Sequence, residues 1–123
     1  MIGDEALDYL KEKYNMVETV DRGGYRYLRF APGTQWVACT GMNKYVISLR
    51  DKFEWKWLEH WDKNGILHSY ELIWEDTIFK STLCEKVCLD PVMDKMFHQW
   101  EKLEKEIKEK QYKMKLNRIK LDF

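Results

Sequence analysis

Hydrophobic and polar residues alternate most clearly over residues 53–74, a stretch that contains four of the six tryptophans. Two alternating runs flank Asn64-Gly65, a dipeptide that readily adopts the positive φ angles of a two-residue type I′ turn. The pattern predicts a β-hairpin in which the numbers of paired residues add to 129. This register pairs Trp55 with Trp74, Trp57 with Leu72, Glu59 with Tyr70 and Trp61 with His68.

One face of this hairpin is aromatic, and the other is a mixture typical of a surface that is solvated or partly covered: Lys56, Leu58, His60, Ser69, Glu71 and Ile73. Glu59, His68 and Tyr70 interrupt the aromatic face. Either the turn has three residues and the register shifts by one, or part of the aromatic face lines a polar pocket or a subunit junction.

Upstream of the hairpin the pattern predicts one helix and then a sheet. Asp4 is a candidate N-cap for a short amphipathic helix over residues 5–15. Four segments rich in β-branched and aromatic residues follow, and short turn sequences separate them. Such short connections join only antiparallel neighbours, so residues 16–75 are expected to form an antiparallel meander of about six strands.

Downstream of the hairpin the pattern becomes helical. Thr82 and Glu85 have the spacing of a capping box, which predicts a short helix over residues 82–89. Asp90-Pro91 marks a second start, and a 3-4 spacing of apolar residues predicts a long amphipathic helix over residues 91–117. The alternation beyond Tyr112 fits a final strand equally well. The whole chain is expected to be a single α+β domain with a helical C-terminal third.

A helix of that length would be about 42 Å long, whereas a compact chain of this size is about 35 Å across. Its end carries Met114, Leu116, Ile119, Leu121 and Phe123 among five bases. We expect this end to pack on a second protomer and form a homo-oligomer. The alternative is that the chain bends back at Asn117 and covers its own sheet edge.

The net charge of zero conceals a segregation of charge. Residues 51–76 hold seven acids and three bases, and residues 110–120 hold five bases and no acid. Because the basic stretch is so short, long nucleic acid is not an expected partner. The sequence has no membrane-spanning run or signal-peptide pattern, and its three cysteines do not suggest a disulfide framework, so we expect a cytoplasmic protein that does not bind membranes.

The common catalytic motifs, such as a phosphate-binding loop or Gly-x-Ser-x-Gly, do not occur, which favours a non-enzymatic role with no catalytic residues and no cofactor. Cys84, Cys88 and His98 are too few for a structural zinc site, so no metal is expected.

Ligand-binding candidates combine arginine with aromatic side chains, because guanidinium groups bind phosphate and aromatic rings stack on bases. Glu59 joins them because an unpaired carboxylate among tryptophans is typical of a pocket, although a place at the sheet edge or a lysine partner would also explain it. The candidates are Arg26, Tyr27, Arg29, Trp57, Glu59, Trp74 and Arg118.

In general layout, with arginines early in an N-terminal sheet and near the end of a helical C-terminal third, the chain resembles small phage-encoded anti-defence proteins, in particular the Thoeris anti-defence sponge family. This resemblance implies an oligomer in the host cytoplasm that sequesters a cyclic ADP-ribose-type or cyclic oligonucleotide signal between protomers without cleaving it. It transfers no individual residue.

A second class of function also fits the sequence. In a protein-binding inhibitor or adaptor of the anti-CRISPR type, the acidic hairpin would imitate phosphate charge and cover a nucleic-acid site on another protein. The carboxylates concerned are Asp51, Glu54, Glu59, Asp62, Glu71, Glu75 and Asp76.

Overall fold

The structure is a computed structural model that describes residues 1–75 and 77–122, with side chains described as far as residue 119. It contains two helices and seven strands, and the α+β class predicted from the sequence is confirmed. In chain order the elements are α1 (Gly3–Lys13), β1 (Val17–Val20), β2 (Arg26–Arg29), β3 (Ala38–Thr40), β4 (Val46–Arg50), β5 (Trp55–Trp61), β6 (Leu67–Trp74), β7 (Phe79–Leu83) and α2 (Lys86–Asp122).

The strands form two antiparallel sheets, one of five strands in the order β1-β2-β3-β4-β7 and one made of the β5–β6 hairpin. The predicted antiparallel pairing is confirmed, but there are seven strands in two sheets where one meander of about six was expected. However, the numbers of paired residues add to 129 both in β4–β7 and along most of β5–β6. Between the two sheets the Glu75 amide donates to the Glu54 carbonyl at 2.9 Å, in the same register. The β5–β6 hairpin, called the ribbon below, thus continues β4 and β7 beyond the other strands.

The core lies on one face of the five-stranded sheet, where α1 and the first half of α2 cover the inward-facing residues of the central strands. Leu28, Ala38, Ile47 and Leu49 are fully buried there because they alternate with residues that point to the opposite face. The helices contribute Leu7, Leu10, Leu89, Met93, Met96 and Leu103. The Tyr9 hydroxyl also donates to Asp90 Oδ1 at 2.7 Å and joins the two helices.

Helix α1 begins two residues earlier than predicted. Asp4 lies in its first turn, and Ile2 is the N-cap without a side-chain hydrogen bond. The amide of Gly3 donates to the carbonyl of Lys44 at 2.6 Å, which ties the helix start to the β3–β4 turn. The helix ends before Asn15, which adopts a positive φ of 52°.

The predicted helix over residues 82–89 is wrong. Thr82 belongs to β7, where it lies opposite Ile47, and α2 begins only at Lys86. No capping box forms at Thr82, because pairing with β4 provides a ladder of backbone hydrogen bonds. This ladder stabilises the strand more than one capping interaction would stabilise a helix. Helix α2 then continues through Pro91, so the two predicted C-terminal helices are one helix.

Helix α2 also extends further than predicted, to Asp122. The helix therefore does not end at residue 117 or bend back at Asn117, and residues 112–122 do not form the alternative final strand. Phe123 and the side chain of Leu121 lie outside the described residues. With 37 residues the helix is about 55 Å long. Its second half runs beyond the five-stranded sheet and along the ribbon. No helix in the described part of the chain is long and apolar enough to cross a membrane.

The turn of the ribbon has three residues, not the two predicted. The Asp62 amide donates to the Ile66 carbonyl at 2.9 Å, Asp62 Oδ1 accepts from the amides of Asn64 and Ile66, and Gly65 has a φ of 75°. A register shift next to His60 then places Trp61 opposite Leu67 instead of His68. The other three predicted pairs, Trp55–Trp74, Trp57–Leu72 and Glu59–Tyr70, are confirmed.

Candidate functional site

A carboxylate of α2 holds two tryptophans of the ribbon. The indole nitrogens of Trp55 and Trp57 both donate hydrogen bonds to Glu106 Oε2, at 2.7 and 3.1 Å. The two tryptophans are two residues apart on β5 and therefore point to the same face of the ribbon. A single carboxylate thus attaches the ribbon to the helix.

Beyond this junction an open groove lies between the ribbon and the helix. It consists of two cavities of about 770 and 500 Å³, and the ring of Tyr70 lines both. Apolar and aromatic residues form much of its surface because the ribbon presents its aromatic face and the helix presents a stripe of apolar side chains. These residues are Trp57, Trp61, Leu67, Tyr70, Leu72, Ile107, Tyr112, Met114 and Leu116.

The groove is also basic. Its lining includes five cationic side chains from α2, namely Lys108, Lys110, Lys113, Lys115 and Arg118. Among the described residues that line the two cavities there is no carboxylate. A cavity with aromatic surface and an excess of positive charge is suited to a planar anion.

The ammonium group of Lys110 lies against two aromatic rings of the groove. Its Nζ lies 4.7 Å from the centroid of the Tyr70 ring and 5.7 Å from that of the Trp57 ring. Both distances are within the range of cation–π attraction. The electron-rich faces of these two rings are therefore reachable from inside the groove.

Of the seven ligand-binding residues predicted from the sequence, the groove brings together Trp57 and Arg118. Trp74 lies outside it: the Trp74 ring is half-buried and packs against the core, with its centroid 5.4 Å from that of Phe53. Trp74 is thus a structural residue at the base of the ribbon.

Glu59 does not occupy the predicted pocket. Its side chain is exposed, and within the described chain it makes no hydrogen bond or ion pair. The reason is that α2 lies along β6, so that this part of β5 stays uncovered and the carboxylate remains in water.

Arg26 serves the fold and is not available to a ligand. Its side chain is 18% exposed, and its guanidinium donates to Asp4 and Asp8 of α1, at 3.2 and 2.5 Å, and to Glu18 of β1 at 2.6 Å. The hydrogen bond from Arg26 holds the pKa of Glu18 below its ordinary value, and the same contacts raise the pKa of Arg26. This arginine fastens α1 to the sheet.

Tyr27 and Arg29 lie on the opposite face of the sheet, far from the groove. The Tyr27 hydroxyl donates to Asp21 Oδ2 at 3.1 Å, and Arg29 donates to the Thr34 carbonyl and the Thr19 hydroxyl at 3.0 and 2.7 Å. Within one chain, Arg26, Arg29 and Arg118 therefore lie in three separate places.

The acidic surface expected on the hairpin is partly neutralised by neighbouring lysines, and Glu71 is hydrogen-bonded to His60. Asp51 pairs with Lys80, Glu54 with Lys52, Glu71 with His60 and Glu75 with Lys56, all within 3.3 Å. Asp62 accepts backbone hydrogen bonds in the turn. Asp76 lies outside the described residues. These pairs weaken the case for an acidic mimic of nucleic acid.

Sequence reasoning missed Tyr70 and the lysines as groove residues. The signal was present in two parts: the run of bases after residue 109, and the seven-residue spacing of Lys108 and Lys115, which places them on one side of a helix. Neither part shows that this side faces the ribbon.

The chain matches no known protein-family model, and it has no significant match among curated proteins or solved structures.

We predict that Arg26→Met lowers the free energy of unfolding by about 2 kcal/mol at pH 7, because it leaves the poorly exposed Glu18 with only the more distant Lys11, at 3.7 Å, as a charged partner. Since the pKa of Glu18 is depressed in the folded state, the stabilisation is present above the ordinary value near 4.5 and is lost as the pH falls through the folded value. In urea denaturation, the difference in free energy of unfolding between the wild type and Arg26→Met should therefore be smaller at pH 3 than at pH 7.

The matched control for this experiment is Arg22→Met, since Arg22 is an exposed arginine in the β1–β2 turn. It should change stability by no more than about 0.5 kcal/mol. If the free energy of unfolding of Arg26→Met is below that of the wild type by the same amount at pH 3 and pH 7, the Arg26–Glu18 pair is not what stabilises the fold.

We also predict that Glu106→Ala loosens the ribbon, because two indole N–H groups lose their shared acceptor. Hydrogen exchange of the backbone amides in Trp55–Trp61 should become at least about tenfold faster, with a loss of about 1–3 kcal/mol in stability. Glu109→Ala, at an exposed position of the same helix, is the control. Unchanged exchange in Glu106→Ala would show that this junction does not hold the ribbon.

Proposed function

We propose that the protein is a non-catalytic binding protein and that the groove between the ribbon and α2 holds an anionic, aromatic small molecule of the nucleotide class. One observation carries this proposal: the groove combines two reachable aromatic rings with five cationic side chains and, among its described lining, no carboxylate. Stacking surface and phosphate-binding groups are the two parts that a nucleotide site requires.

In the proposed complex the base stacks on the rings of Tyr70 and Trp57. The ammonium group of Lys110 lies over these rings in the free protein, and it moves to the phosphate when the base enters. Arg118 binds the phosphate with its planar fork, and Lys115 adds a second positive charge one helical turn earlier. The apolar side chains of Ile107 and Met114 cover the edge of the base.

The residues that line the groove favour binding of a ligand over catalysis. Nucleophilic catalysis needs a nucleophile that is hydrogen-bonded to an oriented base. His68 and Ser69 line the groove, but within the described chain no hydrogen bond joins them to each other. The cationic side chains of the groove are phosphate-binding groups without such a pair.

Sequestration of a signal is the biological role we attach to this site. The layout resemblance to the Thoeris anti-defence sponge family implies a cyclic ADP-ribose-type or cyclic oligonucleotide ligand that is retained intact, and that identity stays a prediction. Ligands of this class fit the groove, because they carry both an aromatic base and phosphate.

The open side of the groove is where we place the second protomer. Beside the groove, Trp61 of the ribbon is 57% exposed, and Tyr112 and Ile119 of α2 are 63% and 53% exposed. Apolar side chains in such a position tend to be covered by a partner. A second copy in twofold arrangement would cover them and enclose the ligand between protomers.

A thermal-shift panel of nucleotides, including cyclic ADP-ribose and cyclic dinucleotides, tests the proposed function. At 100 times its Kd a ligand adds about 2.7 kcal/mol of stability, which raises Tm by several degrees. The ligand should be recovered chemically unchanged. Arg118→Ala should weaken the binding about tenfold or more, because a charge-assisted hydrogen bond is lost.

Lys102→Ala, at an exposed lysine of the same helix outside the groove, is the matched control and should bind as wild type does. If no nucleotide in the panel raises Tm, the proposed function is wrong. Conversion of the ligand during incubation would instead show an enzyme.

Sedimentation velocity tests the second protomer. We expect a dimer at micromolar concentrations, and Ile119→Glu should shift it towards monomer because the substitution places a charge in the apolar contact. Lys102→Glu should leave the dimer intact. A wild-type protein that sediments only as a monomer would contradict this assembly.

A further inference from the structure

The two edges of the five-stranded sheet differ in how well they are protected against a further strand. At the β1 edge, Glu18 is a charged residue that points inward and pairs with Arg26 at 2.6 Å, a feature that hinders strand addition. At the β7 edge the one charged residue is Lys80, and it leans over the sheet towards Asp51, 3.3 Å away. We propose that β7 pairs with β7 of a second copy of the chain in an antiparallel, twofold arrangement.

The backbone groups of β7 alternate between β4 and the free edge. The Cys84 amide donates to the Tyr45 carbonyl at 3.1 Å, so the backbone of Cys84 faces β4. Because successive residues of a strand point their N–H and C=O groups to opposite sides, every second residue before Cys84 also faces β4. The residues between them face the edge, where the described chain places no further strand: Phe79, Ser81 and Leu83.

A twofold axis at Ser81 places this row of backbone groups opposite itself. Ser81 then lies opposite its own counterpart, and Phe79 lies opposite Leu83 of the second copy. The backbones of these residues all face the edge, so each pair can exchange two hydrogen bonds. The Leu83 carbonyl also accepts from the Glu85 amide at 2.8 Å, and a carbonyl oxygen has a second lone pair for the new bond.

The side chains fit this register as well. Lys80 lies opposite Thr82, so no like charges meet across the junction. Leu83, which is 57% exposed, gains an aromatic neighbour on the outer face of the sheet. On the face that carries the helices, Ile78 comes near the start of α2 of the second copy, at Val87. These two side chains are 79% and 82% exposed, and the pairing would cover both.

This contact is separate from the one proposed beside the groove. Two strands of five residues bury much less than the roughly 1,600 Å² of a standard interface, so the β7 contact forms at higher protein concentrations than the contact beside the groove. Because each protomer carries both surfaces, dimers formed beside the groove are joined through their β7 edges into larger assemblies. The β7 contact requires no ligand and does not depend on the proposed function.

Disulfide trapping in the full-length protein tests the register. In Ser81→Cys the two Cα atoms across the axis are about 5.5 Å apart, which suits a disulfide. Lys80→Cys, at an exposed position of the same strand, is the matched control, because its two Cα atoms are about 8 Å apart. At roughly 200 µM protein with oxidised glutathione, Ser81→Cys should give at least about tenfold more cross-linked dimer than Lys80→Cys. The wild type measures any cross-linking by the three native cysteines.

The Ile119→Glu background separates this contact from the one beside the groove. The Ser81→Cys cross-link should persist there. In sedimentation equilibrium on the same background, Ser81→Ala should still associate, whereas Ser81→Pro should not, because proline removes the edge-facing N–H group and spares the hydrogen bonds to β4. Circular dichroism checks that the proline variant is folded.

Two results would overturn the inference. Equal cross-linking of Ser81→Cys and Lys80→Cys would show that the copies meet without the twofold register, and this result does not require the proline variant to fold. Association of a folded Ser81→Pro as strong as that of Ser81→Ala would show that the β7 edge is not the contact. In either case the nucleotide panel would still decide the proposed function on its own.

Discussion

The shared carboxylate of Glu106 is the contact on which the groove depends. A two-stranded ribbon is at best marginally stable in water, and the second half of α2 extends beyond the sheet that supports its first half. Among the described residues, each of these elements packs against the core only at the end nearest the five-stranded sheet, through Trp55, Trp74 and Ile107 among others. The two indole hydrogen bonds, both strengthened by the charge of the acceptor, hold them side by side. The groove lies next to this contact, since Trp57 both donates to Glu106 and lines the larger cavity.

The ribbon can present its aromatic face to the helix only because its register is continuous with that of the sheet. Since side chains alternate along a strand, a shift of one residue would turn Trp57 and Tyr70 to the far side. The three-residue turn would impose such a shift, and the irregularity beside His60 cancels it. From Trp55 to His60 the pairing therefore continues the β4–β7 register, and the irregularity is confined to the tip.

Local patterns in the sequence predicted those parts of the fold in which local and long-range preferences agree. The Trp55–Trp74 register and the existence of a long C-terminal helix follow from periods of two and of three to four residues. Thr82 satisfies a helix cap and a strand equally well, and only its pairing with β4 decides between them. Arg26 could not be recognised as structural from the sequence, because two of its partners lie on α1. The groove depends on how α2 is rotated towards the ribbon, which no local pattern specifies.

The distribution of charge explains how a neutral chain can hold a basic groove. On the outer side of the ribbon Glu75 is paired with Lys56, so this carboxylate contributes little field to the groove, and Glu71 is hydrogen-bonded to His60. The bases of α2 face one another instead, and like charges three or four residues apart destabilise a helix by a few tenths of a kcal/mol per pair. Their place near the C-terminal end of the helix partly offsets this cost, since the helix dipole is negative there. A bound anion relieves the remaining repulsion, so ligand binding and the stability of the distal helix should be coupled.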